Sequence, residues 1–160
     1  MRILAAIRTV FYMTGFVLVW GWVGLTLRRY DPSVGFEVPG WAPSLGLVLI
    51  AAGGVVALAC GCFFAVRGVG TPAPFDPPKV FVAVGPYRYV RNPMYISGLL
   101  MLAGFGLIVR SPSVLLMTVG AVLLAHLFVV IVEEPGLERR FGESYRRYTR
   151  SVHRWLPRRP

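Results

Sequence analysis

Gly85-Pro86-Tyr87-Arg88-Tyr89-Val90-Arg91-Asn92-Pro93-Met94-Tyr95 separates two long apolar runs of this chain. It packs turn-formers, aromatic rings and two arginines into eleven residues. A segment that only had to cross a bilayer would have little use for them. With the Glu133-Glu134 pair downstream, the stretch points to a site for a charged small molecule at a membrane face.

On either side of it the chain is too apolar for an ordinary soluble domain. Of 160 residues, 56% are hydrophobic and 15% charged, with a mean hydropathy of +0.63. Four runs have near-spanning length, at about 9–27, 44–66, 94–109 and 113–132. The third is the shortest and is expected to tilt or to start inside the polar site. The length fits one membrane domain over residues 1–160, with N-terminal helices over 1–66 and a core over 67–160. The expected fold is all-α and integral to the membrane. It has four transmembrane helices, a C-terminal helical hairpin and an interfacial amphipathic tail helix.

The formal charge of +10 admits nucleic acid as a partner, but its placement favours a membrane. With the N-terminus in the cytoplasm, Arg2, Arg8, Arg67, Lys79, Arg88, Arg91 and the tail arginines from Arg139 onward lie inside. Only Arg28, Arg29 and Arg110 lie outside. This asymmetry follows the positive-inside rule and puts both termini and the site on the cytoplasmic face, as in a bacterial inner membrane. Thr26-Leu27-Arg28-Arg29 follows the first run where a signal peptide would carry small residues, so that run is read as a retained anchor. Trp20, Trp22 and Trp41 read as interfacial anchors.

Gly53, Ala57 and Gly61, with Gly46 and Gly54 nearby, form a small-residue stripe for close helix packing. Cys60 and Cys62 point in different directions on that helix and read as packing residues, with no metal site. Residues 67–92 carry four prolines in their first half, which deny a helix and shape a wall or cover. Arg110-Ser111-Pro112-Ser113 makes a tight outward turn. The two runs it joins should return Arg91–Tyr95 to the side of Glu133-Glu134. In the tail, Leu137, Phe141, Tyr145, Tyr148 and Val152 recur at helical spacing opposite arginines, as in a helix lying on anionic headgroups, with Trp155 continuing the anchor.

Asn92-Pro93 is a helix-start signal, Asn as N-cap and Pro as first helical residue. A helix start attracts an anion. Arg91 can clamp a carboxylate or phosphate, Tyr95 lies one turn along, and Tyr87 and Tyr89 can hold a cation on their rings. Glu133 and Glu134 either pair with Arg91, Arg139 or Arg140, or accept from a ligand's hydroxyls and stabilise its cation. His126, two turns deeper on the face of Glu133, is a hydrogen-bonded packing residue or an acceptor-side base or ligand. S-adenosylmethionine, with a carboxylate, a sulfonium, ribose hydroxyls and adenine, matches this mixture. A dinucleotide would also use an arginine and a carboxylate.

Gly85-Pro86-Tyr87, Arg91-Asn92-Pro93-Met94-Tyr95, Glu133-Glu134 and Phe141-Gly142-Glu143-x-Tyr145-x-x-Tyr148 with Leu156-Pro157 resemble, in order and spacing, the isoprenylcysteine carboxyl methyltransferase and phospholipid methyltransferase superfamily. The resemblance covers roughly 71–157. It implies an integral-membrane methyltransferase that uses S-adenosylmethionine on a lipophilic acceptor. The acceptor would be an isoprenylcysteine-like carboxylate or a phospholipid amine. Cofactor contacts would fall on Lys79, Val80, Phe81, Val82, Tyr87, Asn92, Pro93, Met94, Tyr95 and Glu134, with Arg91, Glu133 and Tyr95 in catalytic positions. The isoprenylcysteine enzymes carry His where this chain has Asn92, and a substrate-contacting Arg of theirs falls on Val130. Two other classes compete: an NADPH-dependent membrane reductase related to sterol reductases, and a non-enzymatic membrane module. The expected geometry, with a lipophilic acceptor entering sideways from lipid and the polar cofactor from water, requires a cavity joining Arg91, Tyr95 and Glu134.

Overall fold

The computed structural model of the chain describes residues 2–67 and 84–157. The proline-rich stretch, with Lys79, Val80, Phe81 and Val82, lies outside the described residues. The rest is mostly helical, and no strand occurs among the described residues. α1 spans Arg2–Leu27, followed by a 3-10 turn at Arg28–Ser33, and α2 spans Ala42–Arg67. A second 3-10 turn, Gly85–Arg88, precedes α3 at Pro93–Ile108. α4 is Pro112–Phe128, and a π-helical turn, Val129–Glu133, carries it into α5 at Glu134–Phe141. α6 is Glu143–Ser151.

Among the described residues, two helices are long and apolar enough to cross a membrane: α2 over Ala42–Phe63, and the continuous helix Pro112–Phe141. Leu47, Val55 and Leu58 on α2, and Leu123, Leu124 and Ile131 on the second helix, are exposed. Such faces are stable where lipid replaces water as solvent. α3 is shorter, at 16 residues.

α2 packs most extensively against α3, and glycine sets how close they come. Gly46 and Gly104 face each other across the crossing: a Cβ on either would stand 2.6 Å from the other's carbonyl oxygen. Seven residues along α2, a Cβ at Gly53 would meet the Ser97 carbonyl at 2.7 Å. Without a hydrophobic drive between helices in lipid, such backbone proximity is a main source of association. The predicted stripe is therefore real but shifted. Gly46, Gly53, Ala57 and Cys60 lie on the buried side, whereas Gly54 faces open space. Cys60 is fully buried, as expected for a packing residue, whereas Cys62 is exposed and does not fit that expectation.

The end of the molecule that carries the α3–α4 turn is held by polar contacts. Arg110 adopts a left-handed backbone, φ 50°, and donates both Nε and Nη2 to the Val38 carbonyl, at 3.1 and 3.0 Å. Ser111 caps α4 by accepting from the Val114 amide, and its hydroxyl donates to Asp31 at 2.7 Å. The Ser113 amide donates to the same Asp31 oxygen at 3.0 Å. Burial alone would push the Asp31 carboxyl up; these hydrogen bonds outweigh it and hold the group below its ordinary value.

The tail departs from expectation. It is not one helix: Gly142, with φ 54°, breaks it between α5 and α6, a conformation glycine adopts without steric cost. After Ser151 the chain becomes extended at Val152 and turns back to the start of α3. Trp155 does not serve as a simple surface anchor, because its ring edge packs on Tyr95, at 6.4 Å between centroids and 87° between planes.

Candidate functional site

Gly85, with φ 58°, opens the Gly-Pro-Tyr turn, and a Cβ there would run into the Phe63 ring. The turn closes through the Tyr87 and Tyr89 amides, which donate to the Val84 and Pro86 carbonyls. Tyr148 of α6 donates its hydroxyl to the Tyr87 carbonyl at 2.6 Å, so the tail braces this turn. The Tyr87 phenol is paired with Cys60 and is pushed well above its usual pKa by burial first, then by Cys60 and Glu133. It stays neutral.

α3 begins at Pro93 as expected, with Asn92 at the N-cap position. Asn92 does not cap with its side chain; its Nδ2 donates instead to the Arg154 carbonyl at 3.1 Å. The Arg91 amide donates to the His153 carbonyl at 2.9 Å. Together these two bonds pin residues 153–154 across the start of α3. Pro93 is fully buried, and the Met94 carbonyl accepts from the Ser97 hydroxyl, so both act through the backbone of the helix start.

The returning tail delivers a second arginine. Arg154 grips Glu134 in two-pronged fashion, Nε to Oε1 at 2.8 Å and Nη2 to Oε2 at 2.7 Å. Arg91 Nη1 reaches the same carboxylate at 2.9 Å. The side chains of Arg91 and Glu134 are only 14% and 16% exposed. Two guanidiniums thus share one carboxylate and leave an excess positive charge. Arg91 Nε is buried without a hydrogen-bond partner, and an unpaired buried donor of this kind invites an acceptor.

These groups wall a cavity of about 420 Å³, lined by Arg91, Val130, Glu134, Glu138, Tyr145 and Arg154 among others. That size suits a small-molecule site, typically about 300–1,000 Å³. Burial first, and Glu134 next, push the Tyr145 phenol up to about 12, so it lines the cavity as a neutral phenol beside Arg91. Tyr95 and Tyr87 are not among the residues lining this cavity. The expected cavity joining Arg91, Tyr95 and Glu134 is therefore found only in its Arg91–Glu134 part.

Tyr95 lies on the other side of the acidic pair. Its hydroxyl donates to Glu133 Oε2 at 2.7 Å. Consecutive residues on a helix point about 100° apart, so Glu134 turns to the arginines while Glu133 turns to Tyr95. The π turn at Val129–Glu133 ends on the first glutamate of the pair; such turns widen a helix and shift its register, often at functional sites. Beyond Tyr95, Trp155 Nε1 donates to His126 Nδ1 at 3.0 Å. Arg139 and Arg140, the other considered partners of the glutamates, are exposed, and Arg140 lies over the Phe141 ring.

Arg154, Trp155 and the cavity-lining Glu138 are among the site residues missed from sequence. Arg154 was counted among the surface arginines of the tail. The signal for Arg154 and Trp155 was Leu156-Pro157, a proline stop just beyond them that rules out a helix running on to the end.

Comparison with known proteins adds the following. The model of the phospholipid methyltransferase family matches residues 41–144, which take in α2 through α5 and leave Arg154 and Trp155 outside. Phosphatidylethanolamine N-methyltransferase of Paracoccidioides brasiliensis (strain Pb03) is 34% identical over 86 residues, 52% of this chain and 9% of that protein. The enzyme of the same name from Pyrenophora tritici-repentis (strain Pt-1C-BFP) is 32% identical over 102 residues, 61% of this chain and 10% of that one. An uncharacterized protein of Haemophilus influenzae is 38% identical over 63 residues, 39% of this chain and the whole of the other. The chain thus spans about a tenth of the length of the fungal methyltransferases it matches. No solved structure gives a significant match.

Proposed function

The chain belongs to the phospholipid methyltransferase family, and from that premise we propose that it methylates the amine of a membrane phospholipid, with S-adenosylmethionine as donor. The observation that carries this reading is the division of labour at Glu133-Glu134. One carboxylate faces two arginines on a cavity wall, and its neighbour faces a tyrosine on the other side of the α3 start.

S-adenosylmethionine supplies, when bound, an electrophilic methyl group on a sulfonium. Arg91 and Arg154 suit its carboxylate, which the unpaired Arg91 Nε could help to hold. Glu134 suits its amino group or ribose hydroxyls. Tyr87, the stretch Asn92–Tyr95 and residues 79–82 would complete the contacts, the helix start contributing its free amides. An amine arriving as ammonium must lose a proton before its lone pair can attack. Glu133 suits the role of the base that takes that proton, with Tyr95 orienting it. The carbon–nitrogen bond then forms as the carbon–sulfur bond breaks, leaving a neutral thioether. A carboxylate acceptor would need no base, and the paired Glu133–Tyr95 favours the amine.

In this reading α1, α2, α3 and α4 all span the membrane, with α3 and α4 as a hairpin. Both termini and the site face the cytoplasm, so the cofactor enters from water and the lipid from the side. Equilibrium binding to the purified protein in lipid nanodiscs tests the donor. S-adenosylhomocysteine should bind, and substituting Glu134 by Gln should weaken it about tenfold or more. Binding of NADPH without S-adenosylhomocysteine would overturn the proposal in favour of a reductase.

A further inference from the structure

The geometry points to His126 as a hydrogen-bond donor to an oxygen of the acceptor lipid, its phosphodiester or its glycerol ester, with Trp155 setting the tautomer that makes this possible. This rests on the proposed lipid methylation.

An indole N–H can only donate. Its contact with His126 Nδ1 at 3.0 Å therefore requires Nδ1 to be an acceptor. The imidazole must then be neutral and carry its hydrogen on Nε2, on the opposite edge of the ring. Trp155 does not drift into this position. The tail before it is tied to the α3 start by the Arg91 and Asn92 bonds and to Glu134 by Arg154, and its ring edge rests on Tyr95. His126 itself is exposed, on an apolar helix whose Leu123, Leu124 and Leu127 are exposed beside it. A polar side chain presented to lipid is costly and marks a functional position by default.

Depth supports the assignment. His126 lies seven residues from Glu133 toward the bilayer interior, about 10 Å along the helix. A phospholipid whose amine reaches Glu133 from the membrane carries its phosphate and ester oxygens on that same inner side. The bonded series Glu133–Tyr95 and Trp155–His126, joined by the Tyr95–Trp155 ring contact, therefore has a carboxylate where the amine would react and an N–H donor where the oxygens would lie. The lone pair on Nδ1 is already engaged, so His126 is not the base.

The test is steady-state methyl transfer to phosphatidylethanolamine in mixed micelles at varied lipid mole fraction. His126→Ala should raise the apparent KM for lipid about 3- to 10-fold, the range of one neutral hydrogen bond. The kcat and the KM for S-adenosylmethionine should stay within about twofold. His126→Gln, which keeps an N–H donor near the Nε2 position, should restore most of the lipid KM. Diether-linked phosphatidylethanolamine separates the two oxygens. If His126→Ala costs as much with the diether lipid, the partner is the phosphate; if it costs nothing there, the partner is the ester carbonyl. A fall in kcat with unchanged lipid KM, or failure of Gln to outperform Ala, would overturn the inference while leaving the methyltransferase reading standing. Binding of S-adenosylhomocysteine without methyl transfer to any phospholipid by the unaltered protein would overturn both.

Discussion

Tyr95 and Glu133, thirty-eight positions apart in the chain, meet through a 2.7 Å hydrogen bond that ties the first turn of α3 to the end of the π turn after α4. Tyr95→Phe leaves the carboxylate without its donor, a loss of about 1–3 kcal/mol for a buried group. The melting temperature and kcat should both fall. Glu133→Gln keeps a hydrogen-bond partner but removes the base. The expected outcome is a loss in kcat of about 10²-fold or more, with S-adenosylhomocysteine affinity within about threefold of the unaltered protein, as read by single-turnover kinetics and calorimetry.

Glu134 is shared by Arg91 and Arg154, and the two halves of the cluster should not respond alike. Glu134→Ala strands the largely buried Arg91 and the partly exposed Arg154 and should destabilise the fold by up to about 3–5 kcal/mol, the part-exposed Arg154 contributing less. Arg154→Ala leaves the Arg91–Glu134 pair in place and should cost less. Chemical denaturation of the single and double variants would show strong non-additivity. Additive losses would mean that the three charges act independently.

Gly46 and Gly104 have no room for a methyl group, because the obstacle at each is backbone. Gly46→Ala or Gly104→Ala should destabilise by about 1–3 kcal/mol and loosen the α2–α3 crossing. Gly54→Ala, facing open space, should be neutral or slightly stabilising through its better helix propensity. Thermal unfolding in one detergent checks all three.

Asp31 ties the first 3-10 turn to the start of α4, and its carboxyl titrates below its ordinary value of 3.8. Since the folded value is the lower one, the contribution is complete above that ordinary value and is lost as pH falls through the folded one. Asp31→Asn should therefore melt lower than the unaltered protein at neutral pH. The difference between the two should shrink as pH is taken toward 3.

Much of the frame was readable from composition and punctuation. Apolar runs and proline or glycine breaks located α2, α3 and α4 to within a few residues, because lipid demands long uninterrupted helices. Arg91 and Glu134 were paired on paper because the turn at Arg110–Ser113 sends α4 back along α3. The π turn was not readable, since Val129–Glu133 has the same apolar character as the helix around it. The tail was misread because Leu137, Phe141, Tyr145 and Tyr148 keep helical spacing through the Gly142 break. Arg154 and Trp155 reach the site because the His153 and Arg154 carbonyls accept from the Arg91 amide and the Asn92 side chain, and backbone acceptors leave no trace in side-chain pattern. Asn92 shows the same gap: its residue type fits a cap, while its amide is spent holding the tail.

The central claim is that this chain places a methyl group on a phospholipid amine. The direct measurement is methyl-labelled S-adenosylmethionine incubated with the purified protein in phosphatidylethanolamine vesicles, followed by mass spectrometry of the extracted lipid. The account predicts label on the headgroup nitrogen, abolished by Glu134→Ala and nearly so by Glu133→Gln. Label appearing as a base-labile methyl ester on a prenylated cysteine, or no label on any lipid while phosphatidylethanolamine is present, would contradict it.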